Sequence, residues 1–447
     1  MHKPSEPINP LIRKWYTSRL AVILESVFIG VVVGLVVVAF RQLLDVVGGW
    51  RQRLYGALPE LPWQWTGLWI AALVLLGLFL GWAALARPMI KGSGIPQVKG
   101  ALLRLMTLDW LPELPLKFIT GVIGIGAGLS LGREGPSIQM GAYVGKGVLT
   151  IFRRPNRERQ TLVTAASAAG VAAAFNAPLA GVLFVLEELQ PSFSPLFISC
   201  SLGAAMAADA VAGYFFGFGP VFDFRHVTVL SLRYLPWIVV LGALCAIMGD
   251  LFKRSLYRSL NLYDRFRIPQ IVRPVVPLLL SIPVCFLISD IAGGGHELIE
   301  SLSQEVKPLE LLLLLLVTKI LFTAVCYGSG TSGGIFLPLL TCGALLGVIV
   351  GRSLMMLGLV AEEQGFNFLL NFMILGMAAF FTGAVKAPVT GIILILEMSG
   401  NFNHLGSLVL VCFTSFVVSE LIASRPVYTV LLDRLMKAKA AAGSPLG

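Results

Sequence analysis

The sequence predicts an all-α polytopic membrane protein, and three observations support that class. Of its 447 residues, 56% are hydrophobic and only 13% are charged. The mean hydropathy of +0.84 exceeds what a soluble core requires. Several long, mostly apolar segments give the same indication: Ala21 to Phe40, Leu68 to Ala86, Leu235 to Met248, and Leu309 to Leu321. Tilted and broken helices in a bilayer are therefore expected.

The chain is predicted to form one membrane domain with short ends. The boundaries are a cytoplasmic N-terminal segment at 1–18, a single transmembrane domain at 19–437, and a short C-terminal tail at 438–447. Basic residues before the first apolar segment, including Arg13 and Lys14, place the N-terminus in the cytoplasm by the positive-inside rule. This polar start is not typical of a cleavable signal. We expect no soluble C-terminal domain, because few residues follow the last helix.

The stretch Gly132-Arg133-Glu134-Gly135-Pro136 places two charged residues between apolar segments. An ionisable residue at membrane depth is a functional hypothesis by default, because burying its charge is costly. Pro136 suits the first turn of a helix. A helix that begins inside the membrane points free N–H groups and its positive dipole end at whatever precedes it, which suits an anion. The alternative is a salt-bridged helix kink.

A second helix start interrupted by glycine and proline is Gly92-Ser93-Gly94-Ile95-Pro96, which adds a hydroxyl group. A simple turn is the alternative interpretation there. Near the C-terminus, Pro426 indicates another helix start, with Tyr428 in its first turn. The Ser93 and Tyr428 hydroxyls are thus both predicted to lie at helix starts.

The chain contains an internal duplication. Placing Gly132 over Gly334, an offset of 334 − 132 = 202, aligns eight identical residues. The other pairs are Lys117 with Lys319, Gly126 with Gly328, Gly128 with Gly330, Pro136 with Pro338, Gly141 with Gly343, Ala142 with Ala344, and Gly145 with Gly347. A second block repeats at 388 − 178 = 210 and aligns Ala177-Pro178, Gly181, Leu186 and Glu187 with Ala387-Pro388, Gly391, Leu396 and Glu397. Two repeats follow, at about 19–220 and 233–437.

Charge indicates that the two repeats are inverted. The repeated helix of the first half ends in a basic loop at 153–159, whereas the second half reaches Glu362-Glu363 with no nearby basic residue. An inverted repeat with broken helices places its ion site near the midplane, at the repeat interface. Here the two starts are 132–136 and 334–338, with Glu134 and Phe336 at equivalent positions.

Glu187 and Glu188 end another interrupted apolar stretch. Two interpretations remain open for this pair: a solvated helix end, or carboxylates that receive protons from the cytoplasm. The repeat pairs Glu187 with Glu397, which suits a structural role such as bonding to a helix end. Glu188 falls opposite Met398, so its carboxylate belongs to one half only.

Other classes of function find little support in the sequence. The six cysteines lie in apolar stretches without metal-ligand spacing, and the four histidines are scattered. There is no nucleophile motif or phosphate-binding loop, so we expect no enzyme, no cofactor and no metal. The formal charge of +10 could suggest nucleic acid, but membrane topology explains it better, and no nucleic-acid partner is expected.

These motifs resemble those of the CLC family of chloride channels and chloride–proton exchangers. The resemblance rests on four elements in the family's order: Gly92 to Pro96, Gly132 to Pro136, Gly334-Ile335-Phe336-Leu337-Pro338, and Tyr428. It implies a CLC-type inverted repeat and a homodimer with one pore per subunit. It also implies that Ser93, Tyr428 and the N–H groups of Ile335 and Phe336 bind the anion. Glu134 would be the gate, and Glu134 and Glu188 would transfer protons.

The physical chemistry agrees with this resemblance. Chloride that has lost its water needs several neutral donors, since full cations would hold it too tightly for transport. The ionised Glu134 carboxylate can occupy an anion site in competition with chloride, and the protonated side chain must leave that site. Gln97 and Lys99 stand where bacterial exchangers can carry acidic residues, which affects the cytoplasmic proton route.

We therefore predict a prokaryotic-type chloride/proton antiporter in the cell or inner membrane, with the lipid bilayer as its surroundings and both termini cytoplasmic. A passive chloride channel of the same family is the first alternative. A membrane scaffold that does not transport is the second. Ser93 and Phe336 further predict a preference for chloride over nitrate and fluoride, because relatives that prefer those anions depart at these two motifs.

Overall fold

The computed structural model describes residues 10–153, 156–190, 194–360 and 365–441. In these ranges it is built from seventeen α-helices: α1 Pro10–Ala57, α2 Trp63–Ala86, α3 Ile95–Leu102, α4 Trp110–Gly126, α5 Glu134–Ile151, α6 Asn156–Phe175, α7 Pro178–Phe184, α8 Pro195–Phe216, α9 Leu235–Arg265, α10 Val275–Leu287, α11 His296–Gln304, α12 Leu309–Gly328, α13 Phe336–Met356, α14 Gly365–Val385, α15 Pro388–Ser399, α16 Leu405–Leu421 and α17 Val427–Ala441. The predicted all-α class is confirmed. Residues 1–9, Glu362-Glu363 and 442–447 lie outside the described residues, so the topology signals assigned to them remain predictions.

Short helical turns supplement these helices. A π-helical turn, Val185–Leu189, extends α7. Among the described residues, five 3-10 turns link other helices: Leu58–Glu60, Pro88–Ile90, Leu232–Tyr234, Ser289–Ile291 and Phe402–His404.

Eight helices in the described part of the chain are long and apolar enough to cross a membrane. Large apolar side chains such as Leu75 and Leu321 remain exposed on their outer faces. Such faces suit contact with lipid tails. By contrast, α14 is buried along its whole apolar length, so it forms the centre of the second half. The chain is a multi-pass membrane protein.

The duplicated glycines bring helices close together in each half. A Cβ atom on Gly141 of α5 would collide with the Ala166 carbonyl of α6. A Cβ atom on Gly343 of α13 would likewise collide with the Gly376 carbonyl of α14. Small residues at these crossings let two backbones approach, which strengthens packing where lipid removes the hydrophobic driving force. The repeat found in the sequence thus has a packing function.

The equivalent lysines also make equivalent bonds. Lys117 Nζ donates to the carbonyls of Ile90 and Gly92, at 2.9 and 2.7 Å. Lys319 Nζ donates to the carbonyls of Ile291 and Gly293, both at 2.9 Å. Both side chains are fully buried. Each lysine therefore fixes the loop that precedes a short broken helix, α3 in the first half and α11 in the second.

These two loops reveal an equivalence that the sequence analysis missed. Gly94 caps the start of α3 with a φ of +84°, and Gly295 caps the start of α11 with a φ of +107°. Both conformations lie in the left-handed region that favours glycine. The two segments share one isoleucine, Ile90 with Ile291, and two glycines, so their likeness was too short to detect without the lysine contacts.

Candidate anion and proton site

The two central helix starts meet in the interior of the protein. The N–H of Gly132 donates to the carbonyl of Gly334 at 2.7 Å, and the N–H of Gly334 returns the bond to Gly132 at 2.7 Å. The segments at 132 and 334 therefore form a short antiparallel bridge. Immediately after it, α5 begins at Glu134 and α13 begins at Phe336. The predicted convergence of two half-helix starts is confirmed.

The Ser93 loop packs against the first of these starts. A Cβ atom on Gly135 would lie 2.7 Å from the Ser93 carbonyl and 2.9 Å from the Ser93 Cβ atom. The Ser93 side chain is fully buried, and its Oγ accepts a long bond of 3.4 Å from the N–H of Ile95. The segment does form a turn at Gly92 and Ser93, as the alternative interpretation has it, but this turn lies in the interior of the protein and packs against a helix start.

Glu134 is fully buried at the first position of α5. Neither of its carboxylate oxygens has a hydrogen-bond partner of good geometry among the described residues, although the N–H groups of Glu134 and Leu337 at the two helix starts lie close enough to favour its charge. Its Oε2 folds over Gly132, because a Cβ atom on that glycine would collide with it. Such a carboxylate is costly to bury unless it serves a function or moves.

Arg133 forms no salt bridge with its neighbour Glu134 in the described part of the chain, although its charge acts on that carboxylate. Its Nη1 lies 3.9 Å from Asp45 Oδ1, and this exposed aspartate is its ion-pair partner in the described chain. A kink held by an Arg133–Glu134 salt bridge is therefore wrong. The Glu134 carboxylate lies near the N-terminal ends of α5 and α13, whose first N–H groups have no intrahelical partner.

Tyr428 is the second residue of α17, as its position after Pro426 predicted. Its ring is fully buried, and its hydroxyl group has no hydrogen-bond partner among the described residues. A buried tyrosine hydroxyl usually has a partner. This free donor therefore fits a ligand that accepts hydrogen bonds.

Aromatic rings connect Tyr428 to the start of α13. The ring of Phe184 lies 6.4 Å from that of Tyr428 and 5.9 Å from that of Phe336, between centroids. Phe175 and Phe381 pack on Phe336 at 5.0 and 4.6 Å. This ring cluster brings Tyr428 and Phe336 to one region and excludes water from it. Sequence reasoning assigned no role to Phe184 or Phe381, because neither is part of a motif.

Ile335 and Phe336 are fully buried, and Ile335 is the residue that precedes the first turn of α13. The N–H groups at a helix start point outward from it and have no partner within the helix. Together with the dipole of a long helix, they favour an anion. All four predicted anion-binding residues therefore lie in the buried interior, at or before helix starts.

Glu187 bonds to a helix end in the other half. Its carboxylate accepts from the N–H groups of Val389 and Thr390, at 3.2 and 2.7 Å, and from the Thr390 hydroxyl at 2.6 Å. Glu397 mirrors it and accepts from the N–H groups of Leu179 and Ala180, at 3.1 and 2.8 Å. The predicted bond between this carboxylate and a helix end is confirmed. A freely solvated pair of glutamates is wrong.

Glu188 has a different environment. It lies in the π-helical turn, only 4% exposed, and its Oε1 accepts from Lys99 Nζ at 2.8 Å. Lys99, which stands where bacterial exchangers can carry an acidic residue, is thus the ion-pair partner of Glu188. Gln97 does not join this pair, since its Nε2 donates to the Lys91 carbonyl at 2.7 Å.

Lys253 of α9 positions the start of α17, a function that the sequence did not reveal. Its buried Nζ donates to the Ser424 hydroxyl at 2.5 Å and to the Arg425 carbonyl at 3.0 Å. These bonds fix the loop just before Tyr428. No signal short of the folded chain connects residues so distant in sequence.

Within the described ranges, no group of three histidine, cysteine, aspartate or glutamate side chains could hold a metal ion. The six cysteines are buried and free, as expected of small core residues.

Fold and site together define a multi-pass membrane protein whose broken helices surround a buried site rich in hydrogen-bond donors and one free carboxylate. The family model described as "Voltage gated chloride channel" matches residues 76–420. The chain belongs to this family, the CLC family.

Individual relatives agree in length as well as in sequence. The "H(+)/Cl(-) exchange transporter ClcA" of Citrobacter koseri is 33% identical over 433 residues, which cover 94% of this chain and 89% of the relative. The protein with the same description from Vibrio cholerae is 34% identical, with 97% and 93% covered. A solved structure, that of "a slow cyanobacterial Cl-/H+ antiporter", has a TM-score of 0.85 at 29% identity and covers 93% of this chain and 98% of that chain. The predicted CLC family and fold are confirmed.

Proposed function

We propose that this protein exchanges chloride for protons across a membrane. The observation that carries the proposal is the Glu134 carboxylate, which is buried without a hydrogen-bond partner beside two helix starts. The relatives described as H(+)/Cl(-) exchange transporters, at 33–34% identity over nearly the whole chain, support the same activity. A transporter needs no catalytic residue, and we assign none.

In this proposal chloride is bound by neutral donors. These are the hydroxyl groups of Ser93 and Tyr428 and the N–H groups of Ile335 and Phe336. The free Tyr428 hydroxyl supports this assignment. Several partial charges can replace part of the water around chloride without the tight grip of a full cation, so that the ion is released again.

Glu134 is the gate and the first proton carrier in this proposal. When ionised, its carboxylate competes with chloride for the donors at the helix starts. When protonated, it loses the charge that those donors attract and gives way to chloride. Glu188 is the internal proton-transfer residue, since its buried carboxylate faces Lys99 rather than a helix end. Protonation of the Glu134 side chain and binding of chloride are thus linked, because chloride replaces the carboxylate when the carboxylate takes up a proton.

The proposal extends to the arrangement of the chain. Residues about 19–220 and 233–437 are the two inverted repeats of a single transmembrane domain at 19–437. The flanking segments 1–18 and 438–447 are cytoplasmic, and the protein resides in the cell or inner membrane. It forms a homodimer with one pore per subunit. The paired contacts of Lys117 and Lys319 support the repeat assignment.

Proteoliposomes test the exchange directly. The purified protein is reconstituted, a chloride gradient is imposed, and chloride and proton movements are recorded together. We expect chloride flow to drive protons uphill in the opposite direction, with chloride preferred over nitrate and fluoride. Chloride flow without any proton movement would favour the passive channel, and no flow of either ion would favour a scaffold.

A further inference from the structure

Lys99 connects three elements of the proposed site. It lies on α3, the helix that follows the Ser93 loop. Its Nζ donates to Glu188 Oε1 at 2.8 Å and to the Thr429 hydroxyl at 3.1 Å. Thr429 is the neighbour of Tyr428 on α17. One ammonium group therefore contacts the proposed proton carrier and the helix that holds an anion-binding hydroxyl.

The ion pair between Lys99 and Glu188 is shielded from water. The side chains are 18% and 5% exposed, so solvent screens their interaction less than at a free surface. With Glu188 ionised, the pair has no net charge. When a proton binds Glu188, the carboxylate becomes neutral while the ammonium keeps its charge. The pair then carries one positive charge beside α17.

Few other charges act on this pair. Within the described part of the chain, the titratable groups that interact with Glu188 are Lys99, Glu187 and Tyr428. The Glu187 carboxylate is engaged by the start of α15. Among the elements packed against the turn, α7 carries no charged residue, and the three charged residues of α6, Arg157, Glu158 and Arg159, lie in its first turn. Lys99 is therefore the cation that decides the charge of this cluster.

We propose that Lys99 is a positioning residue that couples proton uptake to chloride binding from the cytoplasmic side. It holds ionised Glu188 in place, and when Glu188 takes up a proton, the uncompensated ammonium attracts chloride toward the anion site. This inference rests on the proposed exchange function. The charges balance, because the proton raises the charge of the cluster by one and the arriving chloride restores it to zero.

Chloride binding at different pH values tests this coupling. Titration calorimetry is performed on the purified protein in a Glu134→Gln background, which removes the titration of the gate. We expect chloride affinity to rise about tenfold, or 1.4 kcal/mol, as the pH falls and Glu188 protonates. Adding Lys99→Gln should abolish that rise, whereas adding Lys99→Arg should retain it.

Proton transport in the otherwise unaltered protein gives a second readout. A nearby cation favours the ionised carboxylate, so its removal makes proton uptake easier at higher pH. Lys99→Gln should therefore move the midpoint of chloride-driven proton uptake upward by about one pH unit. Lys386→Gln is the matched control, because it removes a lysine paired with Glu420 at the same 2.8 Å and should leave the midpoint unchanged.

The outcomes separate this inference from the proposed function. Unaltered protein that shows no chloride-driven proton movement would overturn both. Coupled exchange with the same pH dependence in Lys99→Gln and unaltered protein would overturn the role of Lys99 alone. Loss of the pH effect in both Lys99→Gln and Lys99→Arg would also overturn it, because a cation in the same place would then not suffice.

Discussion

The two halves of the molecule share their supporting contacts and differ in their chemistry. Glu187 bonds to the start of α15, and Glu397 bonds to the start of α7, so each half holds a helix end of the other. Lys117 and Lys319 fix equivalent loops through two carbonyls each. The duplicated residues therefore act as structural supports.

The proposed transport residues have no counterpart of the same kind. Glu134 is equivalent to Phe336, and Glu188 is equivalent to Met398. The loop that carries Ser93 corresponds to one with Gly294, as the matching glycine caps show. Duplication provides helix starts in both halves, and single differences between the halves then give transport a direction.

The largest expected effect comes from the gate. Glu134→Gln should retain chloride flux and abolish coupled proton flux, because an amide neither carries the proton nor competes as an anion. Joint recordings in proteoliposomes measure both fluxes. Glu297→Gln is the control, since this carboxylate, like Glu134, lies in the first turn of a helix but is exposed and belongs to the other half. Uphill proton movement in Glu134→Gln would show that the carboxylate is not required.

The buried lysines should show a smaller difference. Replacing either Lys117 or Lys319 by methionine removes two hydrogen bonds to carbonyl groups, but only Lys117 supports the loop that carries Ser93. Lys117→Met should therefore weaken chloride binding about tenfold, equal to 1.4 kcal/mol, whereas Lys319→Met should change it little. Calorimetric titration with chloride measures both. Equal losses in the two variants would mean that the loops contribute equally to anion binding.

The glutamates that bond to helix ends should behave alike. Glu187→Ala and Glu397→Ala each leave partly buried N–H groups without acceptors, which should lower the free energy of unfolding by about 1–3 kcal/mol. Thermal unfolding in detergent detects the loss, and coupled transport should persist in the folded fraction. A large loss of stability in one variant only would contradict the structural equivalence of the two carboxylates.

Most of the framework was predictable from the sequence, because helix starts and close packing depend on local residue types. Pro136, Pro338 and the repeated glycines revealed these features directly. The Lys99–Glu188 ion pair was not predictable, since 89 residues separate its members and a lysine in that position is compatible with a solvated face. The contact of Phe184 with Tyr428 and Phe336 was not predictable either, because a phenylalanine in an apolar segment gives no signal of its own.

Glu187 and Glu188 provide the most direct test of the central claim. This claim is that residues shared by the two repeats stabilise the fold, whereas residues that differ between the repeats carry out transport. Chloride and proton fluxes are recorded together for Glu188→Gln and Glu187→Gln in the same liposome preparation. The account predicts that Glu188→Gln retains chloride flux and loses coupled proton flux, whereas Glu187→Gln retains both. Proton pumping that survives Glu188→Gln and disappears in Glu187→Gln would contradict it.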